Sequence, residues 1–392
     1  MHDMERLSQK TLLLGYAAFV FASIMSLSSW NLFYSKSINF TATMLTVMLV
    51  ALAIISLLSD WTVKRIVVLL IFGTLLLIYF YLFKLTYMLP ILLALIVGTG
   101  LDFKSILKYD FFSRLFSVLF VVILSLFSIL PKSGYGADIS DFHFTIFCYG
   151  FTYTNILAFE IGVLFIESLL VLKVREIYRV LLMLLITWLE IKMGYETGAV
   201  FCLVGYTIFA TTKKRSTRIP NLYLMMSAWL VPFFSFLSIY VASNFSSTDD
   251  FWNRVNDLLS GRAEIWQYYY QAMPIKLLGN LQTINQKTMG VVGFGAFDGA
   301  FIQFLLTFGV ASIFLIFCLF ILTSTKKGHL SDKRILSIII LPIVLSGFTE
   351  TNGFLVTFSP LYFMVSSYLF SVNKLGLKPV TDSRQESLEE VN

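Results

Sequence analysis

The sequence predicts an all-α polytopic membrane protein with about twelve transmembrane helices, one long extracytoplasmic loop and both termini cytoplasmic. Three observations predict it: the composition, the length of the apolar runs and the placement of the basic residues. Of 392 residues, 57% are apolar and only 13% are charged, with a mean hydropathy of +0.81. Soluble domains carry roughly 45–50% apolar and about 25% charged residues. The surplus apolar surface is satisfied by lipid, which excludes disordered, collagen-like and nucleic-acid-binding chains.

A spanning helix takes about 20 mostly apolar residues. Such runs occupy 11–30, 38–58, 66–83, 85–101, 115–131 and 154–172, then 177–193, 198–212, 221–243, 300–323, 334–349 and 354–372. The polar stretch 1–10, followed by a run too long for a cleaved leader, predicts a retained first span. With the N-terminus in the cytoplasm, alternate connecting segments should gather Lys and Arg. They do so at Arg6 and Lys10, at Lys64 and Arg65, at Lys104, Lys108 and Arg114, and at Lys173, Arg175 and Arg179. The pattern continues through Lys213–Arg218, Lys326–Arg334 and Lys374–Arg384, and these segments hold 21 of the 29 basic residues. The net charge of +6 is therefore a topology signal, not a nucleic-acid site. Cys148, Cys202 and Cys318 sit far apart in apolar stretches and read as buried free thiols.

A single membrane domain covers 1–378, and an acidic-polar cytoplasmic tail over 379–392 reads as disordered. Inside the domain, the extracytoplasmic loop 244–299 is long for a connection between spans, and such loops are usually functional. Residues Asp249–Leu259 predict a short amphipathic helix, and Ala263–Met273 a second. Ser260 is the expected N-cap of the second, with Arg262 and Glu264 in its first turn. A guanidinium beside free helix N–H groups suits a phosphate or diphosphate. Trp266, Tyr268, Tyr269 and Tyr270 follow at once, and their faces suit sugar rings or lipid headgroups. An alternative is a peripheral helix on the membrane, with Arg262 touching lipid phosphates.

Glu160 and Glu167 lie seven residues apart in one span, so they share a helix face, and Asn155 enters the same helix. Intramembrane carboxylates mark either a polar pathway or a neutral, hydrogen-bonded tie between helices. Glu190 lies near the end of the next span, followed by Lys192 and Glu196. Asp298 directly precedes one span and Glu350 follows another, both on the predicted outer face, while His143 reads as solvated. Phosphate-loop, zinc-protease and serine-hydrolase motifs are missing from the sequence. The glycines 290, 293, 295 and 299 precede a span rather than following a strand, and read as a hinge.

Three features together resemble the Wzy-type polymerases of bacterial surface polysaccharides, a family related to the O-antigen ligases. One is the architecture of about a dozen spans with a large late outer loop. Another is Leu258-Leu259-Ser260-Gly261-Arg262-Ala263-Glu264-Ile265-Trp266, similar to the family's L-x-S-G-R-x-x-x-W run. The last is Asp298–Val310, similar to the family segment that opens with D-N and ends in G-i. Two departures stand out: Tyr153 and Thr154 replace the His and Pro of a G-F-x-H-P-N turn, leaving Asn155, and Tyr195-Glu196-Thr197-Gly198 lacks the Arg of S-R-T-G. The ligase branch carries a His in the late loop, and none occurs between Asn244 and Gly299.

The resemblance implies a metal-independent membrane glycosyltransferase with no cofactor. It would join undecaprenyl-diphosphate-linked oligosaccharide repeats into O-antigen, capsule or exopolysaccharide on the outer face of the bacterial cytoplasmic (inner) membrane. Implied partners are that lipid-linked substrate, the bilayer, a chain-length regulator and a flippase, with no nucleic acid. Arg262, Glu350, Asp298 and Glu264 are then the catalytic candidates: a cation for the leaving diphosphate and a carboxylate base for the acceptor hydroxyl. Arg254, Trp266, Asn155 and Glu160 are the substrate-binding candidates. Two alternatives remain open: a lipid-linked oligosaccharide flippase or proton-coupled transporter using Glu160 and Glu167, and an O-antigen ligase.

Overall fold

The computed structural model describes residues 2–30, 38–59, 66–67, 70–75, 77–78, 88–132, 147–213, 218–280 and 298–370. The tail 379–392, His143, the glycines 290, 293 and 295 and much of the run 66–83 lie outside the described residues. Helices make up nearly all of what is described, with no strand beyond an isolated bridge between Ser28 and Phe151.

In chain order the first helices are α1 (His2–Leu27), α2 (Ile38–Ser59), α3 (Met88–Gly98), α4 (Phe103–Leu126), α5 (Thr154–Val171), α6 (Glu176–Lys192), α7 (Glu196–Thr211) and α8 (Arg218–Asn244). Two short helices follow, α9 (Asp250–Leu258) and α10 (Arg262–Ala272). The chain ends in α11 (Ala300–Gln303), α12 (Val310–Thr325), α13 (Leu330–Ser346) and α14 (Leu361–Phe370). Four helical stretches are long and apolar enough to cross a membrane: Gln9–Leu27, Phe103–Leu126, Thr154–Val171 and Arg218–Asn244. Several others are apolar but shorter.

The packing is inverted relative to a water-soluble bundle. Along α4, Phe112, Phe116, Leu119 and Ile123 face outward, Phe116 with 61% of its surface exposed, while Asp110, Arg114 and Ser117 on the opposite face are buried. A stripe of large apolar side chains pointing away from the protein, with the ionic groups inside, is stable against lipid rather than water. The helix begins twelve residues before the predicted run at 115. Its charged residues read as a loop, yet they fit one helix: Asp102 caps it by accepting from the Ser105 N–H at 2.9 Å, and Lys104 and Lys108 stay exposed. Arg114 is thus an interior helix residue, not a connecting-loop cation.

α1 packs on α4 and α2, and α4 continues onto α5. In the second half α8 touches α10, α12 and α13, and α13 packs on α7. One predicted span is broken, and one connection is longer than predicted. The run 300–323 divides into α11, a wide π-turn at Phe304–Phe308, and α12, with Gly309 between them at φ 83°. Breaking a helix frees backbone groups that must be paired. Segment 276–280 supplies the partners: Val310 N–H donates to the Lys276 carbonyl at 3.1 Å, Ala311 N–H to that of Leu277 at 2.9 Å, and Asn280 Nδ2 to that of Leu306 at 2.7 Å. The longer connection is residues 347–360, between α13 and α14, where the sequence leaves only the gap between the runs 334–349 and 354–372. It contains one turn of 3-10 helix at Asn352–Phe354 and is almost wholly buried. Ser359 Oγ donates to the Gly353 carbonyl at 2.7 Å. Irregular backbone of this kind persists among apolar helices only where protein encloses it.

Candidate functional site

Arg262 opens α10, and its position is set by the tight junction with α9. Ser260 (φ 54°) and Gly261 (φ 83°) both take left-handed backbone, so one helix ends and the next begins within two residues. Ser260 is not the cap predicted from sequence. Asn256 of α9 does that work instead, its Oδ1 accepting from the Glu264 N–H at 3.1 Å. Residues Ala263, Trp266 and Tyr269 recur at helical spacing and face inward, against α8. Glu264 therefore points outward and is exposed.

Trp266 is fully buried, and its Nε1–H donates to the Asp298 carbonyl at 2.6 Å. Its ring meets Phe348 edge-on at 5.3 Å. Gly299 follows Asp298 at φ 100°, and a Cβ there would stand 2.9 Å from the indole and 3.1 Å from the Phe348 carbonyl. Ala300 N–H then donates to the Gly347 carbonyl at 2.8 Å and to that of Glu350 at 3.2 Å. Trp266 and this backbone stitch bring the start of α11 against the segment after α13. Gly299→Ala meets both a left-handed backbone and a filled contact, so a loss of about 1–3 kcal/mol is expected. Thermal unfolding of the full chain in nanodiscs checks this, and an unchanged midpoint would contradict the close approach.

The result is a triad drawn from three distant parts of the chain. Arg262 Nη2 donates to Glu350 Oε1 at 2.5 Å and to Asp298 Oδ2 at 3.3 Å. Arg262 Nη1 also reaches the Leu259 carbonyl at 3.3 Å. Burial pushes the Glu350 carboxyl up to about 8; the neighbouring Asp298 adds to the rise and Arg262 opposes it. Burial also raises Asp298, outweighing the pull of Arg262. Two buried atoms of the triad, Arg262 Nε and Glu350 Oε2, have no hydrogen-bond partner. They offer a bound group one donor and one acceptor, next to an acid that titrates near neutrality.

Of the residues singled out in the sequence, Arg262, Asp298 and Glu350 converge, and Trp266 supports them from beneath rather than offering its face to a ligand. Arg254 lies exposed on α9, and Asn155 is half-buried in the first turn of α5. Glu160 belongs to a second cluster. There Arg114 Nη1 donates to Glu160 Oε2 at 2.5 Å and to the Phe358 carbonyl at 3.0 Å, while its Nε donates to Asp110 Oδ1 at 2.8 Å. Glu167 Oε2 lies 4.0 Å from Arg114 Nε, and the Tyr16 hydroxyl donates to Asp110 Oδ2. All five side chains are buried.

Sequence reasoning missed Arg114, although its i,i+4 spacing from Asp110 is readable. It also missed Asn352, and it noted Tyr195 only as part of the segment compared with S-R-T-G. Compared with protein-family models, with curated proteins and with solved structures, the chain matches none.

Proposed function

We propose that this protein polymerises polyprenyl-diphosphate-linked oligosaccharide repeats by glycosyl transfer. In this reading the chain crosses the bacterial cytoplasmic membrane about twelve times with both termini inside. The end that carries α9 and α10 then faces outward. The observation that carries the proposal is the meeting of Arg262, Asp298 and Glu350 in one half-buried cluster. Arg262 and Asp298 each belong to a segment whose sequence resembles the polymerase family, and Glu350 joins them from the segment after α13.

Glycosyl transfer forms a bond from an acceptor hydroxyl oxygen to the donor's anomeric carbon. The bond from that carbon to the diphosphate breaks, the diphosphate leaves with the electron pair, and the hydroxyl proton needs a receiver. Glu350 Oε2 is the unpartnered acceptor for that proton. A carboxyl poised near the working pH is well matched to such a task. Arg262 fixes Glu350 in place through Oε1 and holds a positive charge close to where negative charge develops. The pairing of Glu160 with Arg114 supports polymerase over transporter, because it occupies one of the two carboxylates a transport pathway would use. The absence of a late-loop His supports polymerase over ligase.

The test is the surface-glycan profile of a deletion strain complemented with wild type or Arg262→Ala. Wild type should restore polymer, whereas Arg262→Ala, at equal expression, should leave single repeats and cut polymer by about 10²-fold or more. Full polymer with Arg262→Ala would overturn the proposal. Lipid-linked units trapped on the inner face in the deletion strain would make the protein a transporter instead, and finished but unattached polymer would make it a ligase.

A further inference from the structure

The triad is not the whole of the polar surface in this region. Thr197 Oγ1 lies 3.1 Å from Thr349 Oγ1, which ties the start of α7 to the residue before Glu350. Tyr195, just ahead of α7, is 4% exposed, and its hydroxyl has no hydrogen-bond partner. It sits in the combined field of Glu350, Glu190, Arg262 and Asp298. Burial, followed by the nearby carboxylates Glu350 and Glu190, pushes that hydroxyl well above its ordinary range, so it remains a donor. Glu190 is fully buried near the end of α6, and neither of its oxygens is partnered. Its carboxylate and the Tyr195 ring both lie against Gly198, where any Cβ would collide with the two of them. Two residues beyond Glu350 in the chain, the buried Asn352 leaves its Nδ2 unpartnered.

Buried polar side chains in folded proteins are overwhelmingly paired. Here five residues within and next to one site, Glu190, Tyr195, Arg262, Glu350 and Asn352, each carry a buried polar atom without a partner. Such a concentration is expected where a ligand supplies the missing half of the hydrogen bonds. The chemistry of the set narrows the ligand. Tyr195 OH, Asn352 Nδ2 and Arg262 Nε donate, whereas Glu350 Oε2 and the Glu190 oxygens accept when ionised and, when protonated, can both donate and accept. Sugar hydroxyls, which do both at once, match this mixture. A diphosphate does not: it wants surplus positive charge and donors alone, and the one guanidinium of this cluster among the described residues already faces Asp298 and Glu350.

We infer that Tyr195, Asn352 and Glu190 extend the triad into a binding subsite for the hydroxyls of a neutral sugar, and that the diphosphate binds outside it. Under the polymerase reading, on which only this label rests, the sugar held there is the acceptor. Tyr195 then orients the hydroxyl that Glu350 deprotonates, and specificity for the acceptor arises from groups left unpaired when a hydroxyl is missing.

The experiment uses the full chain in nanodiscs, with saturation-transfer NMR. The probes are the methyl glycosides of glucose, galactose, mannose, rhamnose and N-acetylglucosamine, with inorganic pyrophosphate as competitor. At least one glycoside should receive saturation from wild type, undiminished by pyrophosphate. Tyr195→Phe, which removes only the hydroxyl, should weaken it about 3- to 10-fold. Should Tyr195→Phe lower the thermal midpoint, Asn352→Ser is read in its place, with the same loss expected. No transfer to any glycoside, equal transfer with the variant, or displacement by pyrophosphate would overturn the subsite. The glycan profile of the deletion strain separates the two claims. Sugar binding that depends on Tyr195, in a protein whose deletion leaves polymer intact, refutes the polymerase and keeps the subsite. Polymer lost on deletion, with glycoside binding indifferent to Tyr195, does the reverse.

Discussion

Glu350→Gln should reduce polymer formation by about 10²- to 10⁴-fold, the ordinary worth of a positioned general base, without unfolding the protein. The side chains are the same size, and the glutamine carbonyl can still accept from Arg262 Nη2 where Oε1 does now. What disappears is the ability of the second oxygen to take a proton. Under the proposed function, the wild-type protein should also carry a specific pH signature. A base must be ionised to act, and burial holds this carboxyl protonated up to about 8. Polymerisation by the purified chain should therefore climb between pH 6 and 9, with its inflection near 8. The profile of Glu350→Gln should be flat over the same range. Stability runs the other way. A carboxyl whose native pKa is raised keeps its proton in the fold after the unfolded chain has lost it. This stabilising contribution is full below the ordinary carboxylate range and is lost as pH rises through about 8. Asp298, also raised, acts with the same sign. A wild-type rate independent of pH across this range would remove Glu350 from the role of base.

Arg114→Met should be strongly destabilising, costing about 3–5 kcal/mol. Arg114 is the cation among three buried carboxylates, and its loss leaves Asp110, Glu160 and Glu167 facing one another in an apolar interior. The same change releases the Phe358 carbonyl, so the irregular segment that begins beside Glu350 loses an anchor. Thermal unfolding in nanodiscs should show the drop. Adding Asp110→Asn, Glu160→Gln and Glu167→Gln to Arg114→Met should recover much of it, because removing all members of a buried ionic group costs far less than removing one. Equal midpoints for wild type and Arg114→Met would mean that the cluster contributes nothing to holding α4, α5 and the 347–360 segment together.

Much of the helical content was legible because apolar runs near spanning length leave the backbone few other choices. The breaks were harder. Gly309, Gly347, Gly353 and Pro360 are visible interruptions, but whether a glycine bends a span or merely sits within it depends on partners such as the Lys276–Asn280 segment, which arrive from elsewhere. Arg114 was misplaced because charge was read as solvent exposure, whereas the carboxylates that pay for its burial lie partly on another helix. In the site, Arg262, Asp298 and Glu350 could be picked as charged residues at the edges of apolar runs. The outward turn of Glu264 also follows from the inward spacing of Ala263, Trp266 and Tyr269. That the three would meet, and that Tyr195 would join them, is a matter of tertiary packing. Arg262 and Glu350 are 88 residues apart, and no local pattern records such a distance.

The segment 347–360 also has a consequence for biosynthesis. Translation delivers α1 through α10 before Asp298, and Asp298 well before Glu350. The Asp110–Arg114–Glu160 group can assemble as soon as α5 has been made, so a paired ionic group exists in the first half of the chain. The last ligand of Arg114, the Phe358 carbonyl, reaches it only when the chain is almost complete. Because domains built early wait for partners synthesised late, a ribosome-bound or prematurely ended chain has the guanidinium of Arg262 but not the acid that completes it. The Arg262–Asp298–Glu350 cluster therefore closes only after α13 has been made, so a chain ended before Glu350 lacks it.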